Sequence, residues 1–345
     1  MGPITRKSLY FTNPHQVSLR EEVLPPPAPE QVVVQTIVSA ISAGTEMLVY
    51  RGQTPTDLFV DATIASLAGD FAFPLKYGYA AVGRVIALGA EVDPLWLNKM
   101  VFAFNPHESH FLAVPTDLIA VKPAISPENA VFLPNMETAV SFLMDGQPTI
   151  GEQVVVFGQG IVGLLTTSLL AQLPLAHLIT VDAYALRREQ SLKLGAHRSL
   201  DPTVPDLLTR LRTLLPETLP YGGADLTYEL SGNPQALEQA IAITTFNGRV
   251  VIGSWYGTKL VELNLGGLFH RSHMQLISTQ VSHLNPRWHG RWDKKRRMRV
   301  AWAMIEKHQP ASLITHRVPF TQAADAYQLI DQHPSETIQI ILTYD

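Results

Sequence analysis

The chain has 345 residues, 46% hydrophobic and 16% charged, which leaves room for two domains with cores of their own and excludes a disordered chain. It contains no cysteine, so disulfides, thiolate zinc sites, iron–sulfur clusters and cysteine nucleophiles are excluded. The formal net charge of −4 gives no global attraction to nucleic acid or to an anionic membrane.

The first third reads as β-rich. The proline turn Pro25–Pro29 precedes an apolar strand over Gln31–Val38, and further strands are expected at Tyr79–Leu88, Met100–Phe104 and Phe111–Val114. Several short strands with Gly and Pro between them suggest a small antiparallel, barrel-like domain. From about Pro123 the pattern becomes helical, at Pro127–Leu133 and Thr138–Met144. Strand and helix patterns then alternate through Ala224–Leu230, Pro234–Ile243, Arg249–Gly253 and Gln275–Thr279. Such alternation implies a parallel sheet with crossover helices. A basic helical stretch over Arg291–His308 precedes Ile314–Pro319, and a helix at Ala323–Gln332 and a strand at Ile338–Thr343 finish the chain. The expected division is 1–123 and 291–345 in one domain, with 124–290 as a second.

The motif that carries most chemistry is Val154-Val155-Val156-Phe157-Gly158-Gln159-Gly160-Ile161-Val162-Gly163. A buried strand runs into G-x-G-x-x-G, and an apolar helix follows. Leu178-Ile179-Thr180-Val181 then ends in Asp182, nineteen residues past Gly163. Gly158 permits the tight turn, Gly160 lets backbone approach a pyrophosphate, and Gly163 allows close packing of helix on strand. The amides of Ile161 and Val162 open the helix towards negative charge. Asp182 is placed to accept ribose hydroxyls, which favours NAD(H) over NADP(H) without excluding the latter. Arg187 and Arg188 are expected on the exposed face of the next helix, the alternative being that they hold a 2′-phosphate. Ser231, Gly253 and Ser254 follow strand ends and complete the cofactor set, with Trp255 and Tyr256 either as walls of the ring or of the substrate or simply as packed exposed aromatics.

The order of motifs resembles the medium-chain dehydrogenase/reductase superfamily of zinc-type alcohol dehydrogenase-like proteins over nearly the whole chain. The resemblance is carried by Ile41-Ser42-Ala43-Gly44-Thr45-Glu46 with Gly52, by Tyr77 to Val85, and by the nucleotide motif. Tyr228 to Asn233, Val250 to Ser254 and the closing Pro319 to Leu342 extend it. It implies an α/β protein: a Rossmann parallel-sheet nucleotide domain plus a GroES-like antiparallel β-barrel catalytic domain built from both chain ends. A weaker likeness points to the bacteriochlorophyllide hydroxyethyl dehydrogenase branch. Three positions depart from the zinc-binding pattern: Ala43 stands for the cysteine ligand, Tyr79 for the histidine, and Ala80 for the glutamate after it. The loop with the structural zinc is missing from Lys99–Val114. A zinc-less member is therefore expected, since alanine and tyrosine do not replace thiolate and imidazole.

Without a metal, hydroxyl donors must stabilise the oxyanion formed on hydride transfer. Thr45 matches the family's proton-relay hydroxyl and Tyr79 occupies the lost ligand position, so both are candidate catalytic groups. His107 is a third candidate. His107-Glu108-Ser109-His110 offers metal-ligand types in a turn with no fixed geometry, and more often such histidines are solvent-facing or make single hydrogen bonds. Glu46 reads as structural, pairing with an arginine; Asn135 and Glu137 lie near the position of the third ligand. The basic segment Arg287–Arg299, interleaved with Trp288, Trp292 and Trp302, reads as a solvated helix face with the tryptophans inward, or else as a holder of anionic substrate or cofactor phosphate.

The expected activity is zinc-independent, NAD(H)-linked transfer of hydride between the nicotinamide and an alcohol or carbonyl substrate in an interdomain cleft. Two alternatives stay open: reduction of conjugated enones or quinones, and a non-catalytic redox sensor. Partners are a small-molecule substrate and a second copy in a homodimer, with neither nucleic acid nor membrane. Met1 to Tyr10 lacks the apolar core of a secretion signal, so the cytoplasm is expected.

Overall fold

The structure is a computed structural model and describes residues 3–55, 65–67, 69–215 and 222–344. The chain divides into two compact units, Met1–Pro134 with Ile305–Asp345, and Asn135–Met304.

The first unit begins with a hairpin of β1 (Ile4–Asn13) and β2 (Gln16–Leu24), in which Arg6 lies opposite Glu22. The valine run becomes β3 (Val32–Ala40), and a turn leads from it to the short helix α1 (Thr45–Tyr50). Then come β4 (Ala81–Leu88), β5 (Met100–Ala103), β6 (His110–Ala113), β7 (Leu118–Ala120) and α2 (Pro127–Ala130). Strand β3 pairs antiparallel with both β4 and β6, and β4 continues through β5 to β7.

Helix α3 (Leu133–Gly146) leads into the second unit. There β8 (Gln153–Phe157), α4 (Ile161–Leu170), β9 (His177–Val181), α5 (Ala185–Lys193), β10 (Arg198–Leu200) and α6 (Leu207–Leu214) alternate. They continue in β11 (Ala224–Glu229), α7 (Pro234–Ile243), β12 (Thr244–Ile252), β13 (Gln275–Ser278) and α8 (Lys294–His308). The described strands form one parallel sheet in the order β10-β9-β8-β11-β12-β13. This is the doubly wound 3-2-1-4-5-6 arrangement, whose order reverses between β8 and β11. Val154 and Val156 enter one core with Leu226 and Tyr228, while Val155 and Phe157 enter another with Ile179 and Val250. A strand buried on both faces explains why this run is continuously apolar and does not alternate.

The chain then returns to the first unit with β14 (Ile314–Pro319), α9 (Ala323–Gln332) and β15 (Gln339–Thr343). Strand β15 pairs antiparallel with β3, Leu342 opposite Ser39. Its parallel pairing with β14 departs from the antiparallel rule of this sheet. Leu9 and Phe11 of the hairpin share a core with Met47, Tyr327, Ile340 and Leu342. Each such side chain contributes about 1.5–3 kcal/mol by burial, so this core joins the two ends of the chain. The divisions between units fall inside α3 and α8, not near residues 123 and 290 where the composition changes. Among the described residues, no helix is long and apolar enough to cross a membrane.

Candidate active site

In the second unit the glycine turn sits at the carboxyl end of β8, at the reversal of strand order. Gly158 has φ of +88°, and a Cβ there would stand 2.6 Å from the Leu230 carbonyl carbon and the Ser231 nitrogen. A Cβ on Gly163 would stand 2.0 Å from the Gly158 oxygen, so α4 rests directly on the turn. Above Gly160 the space is open: the nearest atom to a Cβ is an Arg187 guanidinium nitrogen at 4.0 Å. Gly160 is the N-cap of α4 and offers no side chain to the first amides, so Ile161 and Val162 present backbone N–H groups there. The two side chains pack away, Ile161 buried and Val162 against the β8 core.

Asp182 is buried and already engaged. Its Oδ2 accepts the Gln159 amide at 2.7 Å and its Oδ1 accepts the Tyr184 amide at 2.8 Å. An ionised carboxylate has about four acceptor positions, so holding the glycine turn leaves capacity for a ribose hydroxyl. Arg187 and Arg188 are half-buried, in place of the exposed positions expected. Arg188 donates to the Asp182 and Ala183 carbonyls and pairs with Asp201 at 3.0 Å, while Arg187 lies 4.8 Å over the Tyr184 ring.

Ser231, Gly253 and Ser254 gather round Glu229, a buried carboxylate at the end of β11 to which the sequence reading gave no role. Its Oε1 accepts the Ser231 amide at 2.7 Å and hydroxyl at 2.5 Å, and the Gly232 amide at 3.1 Å. Its Oε2 accepts the Tyr256 hydroxyl at 2.6 Å. Burial, with the Glu229 charge, raises the Tyr256 phenol above the usual tyrosine range, so it stays a donor. Ser254 accepts the Gly232 amide at 2.8 Å, and a Cβ on Gly253 would strike the Phe142 ring. Trp255 is partly exposed.

In the first unit the candidate hydroxyls lie on and beside the turn between β3 and α1. Thr45 opens α1, and its hydroxyl has no hydrogen-bond partner among the described residues. Tyr79 donates to Ser42 Oγ at 2.6 Å. Glu46 is fully buried and, among the described residues, meets no arginine: Oε1 accepts the Ser42 amide at 2.8 Å, and Oε2 accepts Tyr327 at 2.5 Å and lies 3.0 Å from His107 Nε2. Burial and the neighbouring Glu46 raise the Tyr327 phenol well above its ordinary value, which keeps it protonated towards the carboxylate.

His107 also has Nδ1 2.7 Å from Ser39 Oγ, which meets the Tyr344 hydroxyl at 2.8 Å. Its ring is wholly buried with both nitrogens engaged, so it has no face open to a substrate. It makes two hydrogen bonds within the core, where a solvent-facing ring or a single hydrogen bond is the more common expectation. His110 is 3.2 Å from Ser109, and burial lowers its pKa. Among the described residues no group of three or more His, Asp or Glu side chains is placed to hold a metal ion.

Asn135 and Glu137 are buried in the second unit. Glu137 pairs with Arg297 at 2.9 Å, and Arg297 also donates to the Val281 carbonyl. The basic segment is thus only partly a solvated face. Trp302 packs inward, but Trp288 and Trp292 lie edge to face and carry Arg291 and Arg296 over their rings at 5.4 and 4.1 Å.

A family model described as zinc-binding dehydrogenase matches residues 162–293. D-guloside 3-dehydrogenase of Escherichia coli K12 is 25% identical over 98% of this chain and 100% of its own. The NADH complex of RspB, an alcohol dehydrogenase from E. coli CFT073, superposes with a TM-score of 0.78 at 18% identity, covering 98% of this chain and 99% of that one. A putative zinc-binding dehydrogenase from Sinorhizobium meliloti 1021, bound to NADP, gives 0.78 at 16% identity and 99% of both chains. The chain is similar to the zinc-type alcohol dehydrogenase-like proteins of the medium-chain dehydrogenase/reductase superfamily and shares their fold. Its two units are the Rossmann and GroES-like parts of that fold. Within the superfamily's pattern, Ala43, Tyr79 and Ala80 supply neither a thiolate nor an imidazole, so this donor set does not fit the zinc ion.

Proposed function

We propose that the chain is an oxidoreductase that uses a nicotinamide dinucleotide, NAD(H) in preference to NADP(H), and works without zinc on a small alcohol or carbonyl substrate. The observation that carries the reading is the open space above Gly160, on a turn fixed by Gly158 and Gly163 at the reversal of strand order. A pyrophosphate suits that space, because uncapped amides of α4 face it and no side chain fills it. The likeness to proteins solved with NADH and with NADP supports the same class of cofactor. Asp182 supports NAD(H), since a carboxylate beside the ribose repels a 2′-phosphate.

The bound nicotinamide supplies or takes the hydride. This chain's residues do the rest: Thr45 directs a hydroxyl donor at the substrate oxygen, and Tyr79 gives or receives the proton. Ala43, Tyr79 and Ala80 support the absence of zinc from the reaction, since they offer no ligand set. The same residues keep enone or quinone reduction as a second reading, because a delocalised anion needs less local stabilisation than an alkoxide.

Calorimetry with NADH and NADPH, followed by NADH oxidation with a panel of ketones, enones and quinones, tests the reading. Tighter binding of NADH is expected, with turnover unchanged after exhaustive chelation. Replacing Thr45→Val should lower kcat by roughly 100- to 1,000-fold, the usual cost of one oxyanion donor. Tight NADH binding with no hydride transfer to any acceptor would instead favour a redox sensor, and turnover that vanishes on chelation and returns with zinc would refute the metal-free site.

A further inference from the structure

We propose that Ser42 is a positioning residue for Tyr79, its hydroxyl setting both the direction and the acidity of the phenol that serves the substrate oxygen. The inference rests on the oxidoreductase reading and adds to it a residue that the sequence motifs left without a role.

The phenol donates to Ser42 Oγ at 2.6 Å. Its ring is held in apolar company: Ala43, Phe71 and Phe73 pack in the same cluster, and the Tyr77 ring meets it edge-on at 6.3 Å. In a carbonyl reduction the hydride adds to the carbonyl carbon and the C=O electron pair moves to oxygen. The Tyr79 O–H, which at rest donates to Ser42 Oγ, turns to that oxygen; its O–H bond then breaks, its proton is transferred, and a phenolate is left until water returns the proton. A hydroxyl can reverse its role. Ser42 accepts from the neutral phenol and, after rotation of its O–H, donates to the phenolate. A hydrogen bond made to the charged form lowers the pKa of the group.

Ser42 can do this only if it is held still. Its amide donates to Glu46 Oε1 at 2.8 Å and its carbonyl accepts the Glu46 amide at 2.9 Å. Glu46 is in turn fixed by His107 and Tyr327, and His107 by Ser39. The clamp acts on the backbone of residue 42 and leaves its hydroxyl for Tyr79. Ser42→Ala therefore removes the hydroxyl while keeping every contact of the clamp.

The test labels the full-length protein with 13Cζ-tyrosine and identifies the Tyr79 resonance as the one lost in Tyr79→Phe. In Ser42→Ala the ionisation midpoint of Tyr79 should rise by about one pH unit, with Ser42→Thr restoring it and thermal stability unchanged. The basic limb of kcat for NADH-dependent reduction of nitrobenzaldehyde should move by the same amount. Equal midpoints in wild type and Ser42→Ala, or a Tyr79 that stays protonated up to the pH of unfolding, would overturn the inference. Wild-type protein that binds NADH but reduces neither nitrobenzaldehyde nor any acceptor of the panel removes the oxidoreductase reading and this role with it. Intact turnover with unmoved midpoints removes the Ser42 role alone.

Discussion

Two glycines with opposite surroundings separate folding from binding at the level of single residues. Gly78 has φ of +117°, and a Cβ there would lie 2.7 Å from the His107 ring. Gly160 has an ordinary negative φ and open space. Gly78→Ala is expected to lower unfolding free energy by about 1–3 kcal/mol through backbone strain and the displaced histidine. Gly160→Ala should leave stability nearly unchanged and weaken NADH binding at least tenfold, because its methyl group enters the space assigned to pyrophosphate. Urea titration and calorimetry on both variants check the pair, and the reverse pattern would refute the assignment. Glycine's role in the turn was legible because it is local. The burial of His107 was not: its partners Glu46 and Ser39 lie 61 and 68 residues away in the chain, and Tyr327 reaches Glu46 across 281. No spacing rule connects such positions, so a histidine in a polar-looking turn reads as a pocket residue until the core is seen.

Elements were legible where burial imposed a period or a run. Pro234–Ile243 is helical between the expected ends, and α9 occupies Ala323–Gln332 as expected. The β1–β2 hairpin gave little signal because Arg6, Lys7, Glu21 and Glu22 interrupt it, yet the first and last of these pair across the strands. Strand β10 is only three residues long. Helix α8 shows the opposite failure, since a run of basic residues conceals one, Arg297, that is fully buried. Burying an ion pair in place of apolar side chains seldom adds stability, but removing one partner strands the other. Arg297→Met is therefore expected to lower stability by about 3–5 kcal/mol. Adding Glu137→Met should recover most of that loss in a double-mutant cycle followed by urea denaturation. Equal losses in the single and double variants would mean that Arg297 matters through the Val281 carbonyl and not through the charge of Glu137.

At the scale of the whole chain, the return of its end to its beginning was legible only as β character at both ends. The structure turns this into a specific pairing, β15 on β3, which the core shared by Leu9, Phe11, Tyr327 and Leu342 reinforces. At one end of the parallel sheet, β13 is bonded to β12 on one side and to no described strand on the other. Such an edge presents unpaired N–H and C=O groups, which make it a template for another strand. Two copies meeting at β13 about a two-fold axis would satisfy both edges at once, since that geometry is self-complementary. We therefore expect sedimentation equilibrium to give twice the chain mass. Lysines at the exposed positions Gln275 and Ser278 would bring like charges together across the axis, and the double substitution should yield monomer without loss of fold. A wild-type monomer at every concentration tested, or a dimer unmoved by those lysines, would place the contact elsewhere or abolish it. If the dimer dissociates while NADH still binds, each copy carries its own cofactor turn, as the confinement of Gly158, Gly160, Gly163 and Asp182 to one unit requires.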